Sequence, residues 1–347
     1  MASQPVTEAP LASVLIVDDS AVARAVLTRI IEGSGRFTVA AAVPDAPRAL
    51  EILRGTRVSL VLLDLEMPRV HGLAALPDLL AAAQGARVLV VSSACEVGGS
   101  ATIEALARGA ADTLVKPPSG AAFGRFAEAL IARLERLVDS GEPHEVARVA
   151  PAGLATAADV IAIGASTGGI HALARLLGAL DPAVRTPILI TQHLPLAFSR
   201  HLAAQIAVFA RRPCTVATDG ESLREGAILV APGDAHLICA RNGGRVVVRL
   251  SNEPQANGCL PSVDPMFSSV AAVFGAGALG IVLSGMGRDG SAGAREIRQR
   301  GGTIMVQDQA SSVIWGMPKA VFSAGDATLV LPPEAIGAAL LPNRRVA

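Results

Sequence analysis

A chain of 347 residues is long enough for two domains, each able to bury a core without disulfides or a structural metal. Its 30 basic and 30 acidic residues cancel, so nothing in the charge balance draws it to nucleic acid or to anionic lipid. Hydrophobic residues make up 51% and aromatics only 3%, which points to aliphatic cores built from buried parallel strands under helices.

The first part alternates strand and helix. SVLIVDD is an apolar run closed by Asp18 and Asp19, and Val22, Val26, Leu27, Ile30 and Ile31 follow at helical spacing. FTVAAAV, a helix over 48–53, VSLVLLDLEMP, a short helix near 73–80, RVLVVSS, a helix over 102–108, DTLVKPP and a helix over 123–138 complete the series. Five strands and five helices in alternation predict a doubly wound, flavodoxin-like parallel sheet over 12–138, with ligands expected beyond the carboxyl ends of its strands. Periodicity then lapses, and Gly, Pro and charged residues mark a linker over 139–156. A second strand-helix series begins with DVIAIGAS and runs through TPILITQH, AILVAPG, RVVVRL, LGIVLSG and GTIMVQD. It predicts a second, Rossmann-like doubly wound α/β domain over 157–347.

The uncharged stretch 268–287 has the length of a membrane span, but its Gly and Ala content divides it into a helix end, a Gly turn and a strand at 279–283. The protein is therefore not expected to be membrane-embedded. Its N-terminus lacks the basic and apolar regions of a signal peptide, so a cytoplasmic location is expected. Cys95, Cys214, Cys239 and Cys259 are scattered, with no C-x-x-C and no His close enough to suggest a zinc site, and read as reduced thiols.

Asp18 and Asp19 end the first strand, Asp64 the third, Ser92 the fourth, and Lys116, before Pro117, the fifth. Doubly wound topology collects these ends at one edge. Carboxylates gathered in one pocket repel one another unless a cation sits between them, and a hard ion such as Mg²⁺ meets that need. Asp64 is then the nucleophile for a phosphoryl group, Lys116 offsets charge on its oxygens, and Ser92 is placed to hydrogen-bond the new phosphate.

In the second series, Gly164-Ala165-Ser166-Thr167-Gly168-Gly169 fits G-x-S-x-G where a strand becomes a helix. A Gly-rich turn there also suits phosphate binding, but the G-x-G-x-x-G spacing is absent. A serine nucleophile needs a base. His171 falls within the following helix, His201 in another, and His236 in a loop after APGD; His193 closes the strand PILITQH at the edge shared with Ser166. Among the acids, Asp181, Asp219 and Asp234 read as turn residues, Asp264 as structural or groove-lining, and Asp289 follows LGIVLSG back to the active edge. Ser166, His193 and Asp289 are thus the expected triad, with an oxyanion hole from backbone N–H groups near Thr167 and Met286. The order Ser, His, Asp differs from that of α/β-hydrolases.

On the acidic pair, LLDLEMP, the strand-end Ser and the Lys-Pro, residues 12–138 resemble a response-regulator receiver domain. The resemblance adds the backbone carbonyl of Glu66 as a metal ligand and a histidine kinase as phosphodonor. Where many receivers carry an aromatic switch residue, three positions before the lysine, this chain has Thr113, so activation is expected to rest on Ser92, the neighbouring loops and the interdomain contact. IGASTGG, QHLP, VAPGDAH, PSVDPMF, LSGMGRDG and QDQASSVIWGMPKA make residues 157–341 resemble the catalytic domain of the CheB protein-glutamate methylesterases. That resemblance implies hydrolysis of γ-glutamyl methyl esters on methyl-accepting chemoreceptors, with glutamine deamidation as an additional activity, no cofactor for the esterase, and association with membrane receptor arrays. It also implies a receiver that covers the catalytic edge until phosphorylation weakens the contact. The rival readings are a DNA-binding response regulator, for which no helix-turn-helix signal exists, and a non-catalytic docking module on signalling complexes.

Overall fold

The computed structural model describes residues 11–67, 71–92, 96–117, 123–138 and 158–341, with the side chains of 92, 96–98 and 123 left aside. The linker expected over 139–156 lies outside them. The chain divides into two compact units, Met1–Asp139 and Ser140–Ala347.

The first unit runs β1 (Ala12–Val17), α1 (Ala21–Gly33), β2 (Phe37–Val43), α2 (Ala46–Gly55), β3 (Leu60–Asp64), α3 (Gly72–Ala82), β4 (Arg87–Ser92), α4 (Glu96–Ala107), β5 (Asp112–Val115) and α5 (Phe123–Val138). Its five strands are all parallel, in the order β2-β1-β3-β4-β5. Every residue of β3 is buried, as are the last four of β1, because helices cover both faces of the sheet. Ser20 and Asp45 cap α1 and α2 by accepting the N–H groups of Ala23 and Arg48. Helix α4 begins six residues before the expected 102. Its opening EVGG carries two glycines and no apolar period, so periodicity reads only its second half. The order of strands reverses between β1 and β3, where such sheets place their ligands.

The second unit runs β6 (Val160–Ala165), α6 (Gly169–Gly178), β7 (Ile188–Gln192), α7 (Leu196–Ala210), β8 (Cys214–Val216), β9 (Ile228–Val230), β10 (His236–Asn242), β11 (Arg245–Ser251), α8 (Val263–Phe274), β12 (Ala278–Val282), α9 (Ser291–Gln299), β13 (Thr303–Gln307), α10 (Met317–Ser323), β14 (Leu329–Leu331) and α11 (Pro333–Ala339). Seven strands form one parallel sheet, β14-β13-β12-β6-β7-β9-β8. RVVVRL, placed in the parallel series by the sequence reading, instead pairs antiparallel with β10 as a separate hairpin. The pairing of Asn242 with Arg245 leaves Gly243 and Gly244 as a two-residue loop, both at positive φ (55° and 80°), the conformation that tight hairpins require. The uncharged stretch resolves into the end of α8, a short Gly-Ala-Gly turn and β12. No helix among the described residues is long and apolar enough to cross a membrane.

Candidate functional site

In the first unit, Val17 of β1 pairs with Leu63 of β3, so Asp18 and Asp64 emerge side by side. Both are buried, at 1% and 5% exposure, while Asp19 is exposed. Lys116, just beyond β5, donates to Asp18 Oδ2 at 2.9 Å and Asp64 Oδ2 at 2.6 Å. Asp18 Oδ1 accepts the Ser20 N–H and Asp64 Oδ1 the Glu66 N–H. Burial lifts the Asp64 carboxyl above its usual range although Lys116 and the Glu66 N–H pull the other way. For Lys116 burial acts downward, but its bonds to Asp64 and Asp18 win and the ammonium is held. Oxygens of Asp18, Asp19 and Asp64 lie within 4.8 Å of one another. Three carboxylates against one lysine leave negative charge in an all-oxygen pocket, a donor set that fits a hard divalent cation. Glu66 has an exposed side chain and enters the site through its backbone. Ser92 ends β4, but its side chain lies outside the described set. At Thr113 the structure has a strand residue whose hydroxyl is buried without a partner among the described residues.

In the second unit, β6 lies between β7 and β12, and Ser166 and His193 directly follow β6 and β7. The Ser166 N–H donates to Ser284 O at 3.0 Å, and the His193 N–H to Ala165 O at 3.0 Å. Gly168 completes the turn into α6 with φ +78°, and a Cβ there would lie 2.5 Å from Val313 Cβ and 2.7 Å from Ser284 Oγ. Strain at positive φ and overpacking together predict that Gly168→Ala destabilises the second unit by roughly 2–4 kcal/mol. Urea unfolding checks this as a lowered midpoint at an unchanged slope.

His193 Nε2 meets Asp289 Oδ2 at 2.6 Å. Asp289 is 2% exposed, and its carboxylate also accepts from the N–H groups of Val263 (2.7 Å), Asp264 (3.1 Å) and Gly290 (2.9 Å), from Ser262 Oγ (2.7 Å) and from Asn257 Nδ2 (2.9 Å). Burial opposes its charge, but His193 and these donors outweigh burial and bring Asp289 down to about 2. Burial likewise opposes a charged His193, yet Asp289, with Cys259 adding to it, carries the imidazole up to about 9. The Ser166 hydroxyl makes no hydrogen bond to His193 among the described residues. The N–H groups of Thr167 and Met286 likewise find no protein acceptor among them, which leaves both available to an incoming oxyanion.

Several residues of the site were not legible as such. Gln192, 4% exposed, donates its amide to Ser166 O (2.9 Å) and His193 O (3.2 Å), tying the backbones on either side. Ser284 Oγ bonds the Thr167 carbonyl at 2.8 Å, and its N–H donates to Gln307 Oε1 at 2.7 Å, which gives Gln307 of the QDQASS stretch a place beside the serine turn. The SVDP stretch finds its role in Ser262 and Val263 on Asp289. Two expectations need correction. His236 is not in a loop: it opens β10, is 1% exposed, and bonds the Ser262 N–H through Nδ1 at 2.9 Å and Glu253 O through Nε2 at 2.9 Å. Nor is every cysteine remote from histidine, for the chain folds Cys259 against His193 across 66 positions (259 − 193), with a ligand atom of each, and of Asp289, within 4.8 Å. Asp264 has a structural contact and also lines a groove. It accepts the Gly293 N–H at 2.8 Å, and with Asn257, Arg288 and Arg295 it lines a groove of about 950 Å³. Burial, together with the Asp289 charge and against the Gly293 N–H, pushes it up to about 6.

Residues 161–340 match the family described as CheB methylesterase, and residues 14–123 the response regulator receiver domain. The protein-glutamate methylesterase/protein-glutamine glutaminase 2 of Caulobacter vibrioides is 42% identical, with 93% of this chain and 96% of that protein covered. The Pseudomonas aeruginosa protein of the same name is 41% identical over 95% of this chain and 96% of its own length. Among solved structures, the Thermotoga maritima CheB methylesterase catalytic domain superposes with a TM-score of 0.50 at 32% identity, covering 52% of this chain and 96% of that one.

Proposed function

The chain belongs to the CheB methylesterase family and carries a response-regulator receiver domain, and from that premise we propose a phosphorylation-activated hydrolase of glutamate γ-methyl esters on chemoreceptors, with glutamine deamidation as a second activity. The receiver occupies 12–138, a linker 139–156 and the catalytic domain 157–347. The observation that carries the chemistry is the His193–Asp289 pair at 2.6 Å, on the sheet edge where Ser166 stands. Ser166 Oγ attacks the ester carbonyl and its proton passes to His193. With Nε2 committed to Asp289, the ring nitrogen left to take that proton is Nδ1. The proton returns to the leaving methoxide, methanol departs, and water activated by the same base clears the acyl-enzyme. The unpaired N–H groups of Thr167 and Met286 support their assignment as the oxyanion hole.

In the receiver, Asp64 takes a phosphoryl group from a histidine kinase, and Lys116 holds its charge. Asp18, Asp19, Asp64 and the Glu66 carbonyl would hold Mg²⁺, which would supply positive charge against the phosphoryl oxygens; Ser92 is assigned to the phosphate. The enzyme works in the cytoplasm on receptor arrays. The non-catalytic docking alternative is not favoured, since the relatives are named as enzymes.

Methanol release from a methylated receptor, measured with and without a small-molecule phosphodonor, tests the control. Wild type is expected to be stimulated about tenfold or more and Asp64→Asn not at all, since an amide cannot form the acyl phosphate. Equal stimulation of the two would remove Asp64 as the switch.

A further inference from the structure

The mechanism uses His193 and Asp289 but leaves Cys259 without a task. Cys259 is half-buried in the loop between β11 and α8, the loop that also supplies Asn257 and Ser262 to the acid. Its thiol stands beside the ring of the base. We propose that His193, Cys259 and Asp289 form an inhibitory site for a borderline-soft divalent cation, with Zn²⁺ as the fitting ion.

The donors are one imidazole nitrogen, one sulfur and one carboxylate oxygen, the set that zinc takes in preference to Mg²⁺ or Ca²⁺. Zinc bonds of about 2.0–2.3 Å at tetrahedral angles separate ligand atoms by roughly 3.2–3.7 Å. The three ligand atoms already lie within 4.8 Å of one another, so movements of about 1 Å suffice. The His193–Asp289 contact must open from 2.6 Å, and the Cys259 loop, partly exposed, must draw in. Asp289 is held meanwhile by Val263, Ser262, Asn257 and Gly290, outer partners of the kind that orient a metal-binding carboxylate. His193 is 18% exposed, which leaves a route from solvent and an open fourth position for water. As the ion enters, the thiol proton and the proton on the ligating imidazole nitrogen leave to solvent. The imidazole is then tied to the ion and pulled off its acid, and Ser166 loses its base. The other group of three, Asp18, Asp19 and Asp64, offers oxygen alone and suits a hard ion.

Binding stands on these contacts, and only its inhibitory consequence rests on the esterase reading. The test uses the full chain with excess Mg²⁺ to occupy the carboxylate cluster, and titrates Co²⁺ as a visible substitute for zinc. Wild type is expected to develop a sulfur-to-cobalt charge-transfer band saturating at one equivalent, and Cys259→Ser to lack it. A band of equal strength in Cys259→Ser, which keeps the other thiols, would overturn the site. Zn²⁺ inhibition of methanol release, each protein scaled to its own metal-free rate, is expected to need roughly tenfold or more Zn²⁺ in Cys259→Ser. Equal sensitivity would overturn the inhibitory role. If the chain released no methanol at all, the cobalt band would still decide whether the metal site exists.

Discussion

Replacing Ser166 by alanine is expected to lower kcat for methanol release by roughly 10⁴- to 10⁶-fold, the scale on which serine hydrolases lose rate when the nucleophile is removed. The substitution deletes one oxygen that makes no hydrogen bond among the described residues. The His193–Asp289 pair, the α6 turn and the unpaired N–H groups of Thr167 and Met286 should all persist. KM should therefore change little, and so should the unfolding midpoint. A fluorophosphonate probe, which labels the activated serine of the wild type, should leave the variant unlabelled. Activity within tenfold of wild type would mean that another group attacks the ester, and the assignment of Ser166 would fail.

The second large effect is on pH. Because Asp289, aided by Cys259, carries His193 up to about 9, the resting base is protonated at neutral pH and must lose that proton to act. kcat/KM is accordingly expected to climb about tenfold per pH unit below that value, roughly 100-fold between pH 7 and pH 9, before levelling. Asp289→Asn should bring the bend down toward the ordinary histidine range and lower the plateau by about 10⁴-fold, since an amide cannot stabilise the imidazolium. Stability carries the same signature with a definite sign. A histidine raised from 6.5 to about 9 on folding contributes fully below pH 6.5, and its contribution is lost as pH rises through 9. Urea unfolding should show wild type losing on the order of 3 kcal/mol across that window, and Asp289→Asn should flatten the slope. A rate profile that bends near 6.5 in the wild type would show that the pair does not hold the proton as its geometry implies.

Strand-end reasoning pointed to the sheet edges where the structure places Asp64, Ser166, His193 and Asp289, because a parallel sheet imposes a rule on sequence: each strand enters at one edge and delivers its last side chains at the other. The residues it missed do not obey that rule. Asn257, Cys259 and Ser262 belong to a non-periodic loop whose course depends on what it packs against, so no spacing announces that they reach Asp289 and His193. Gln192 ends a strand and begins QHLP, and nothing in either pattern shows that its amide turns back to two carbonyls. RVVVRL has the composition of a buried parallel strand, and the Asn-Gly-Gly before it was the overlooked sign of a hairpin. Strands of three residues, such as β8 and β14, are too short to show a period at all.

The β10–β11 hairpin shares no strand pairing with the parallel sheet, yet His236 at its base grips the Ser262 N–H, and Ser262 Oγ grips Asp289. The nucleophile is moored to the sheet through Ser284 and Gln192, whereas the acid is moored in part to this appendage. Nucleophile and acid therefore hang from separate anchorages. The carboxylate thus stands two hydrogen bonds from the hairpin, through Ser262 and His236, while the serine turn is bonded to the sheet alone through Ser284 and Gln192.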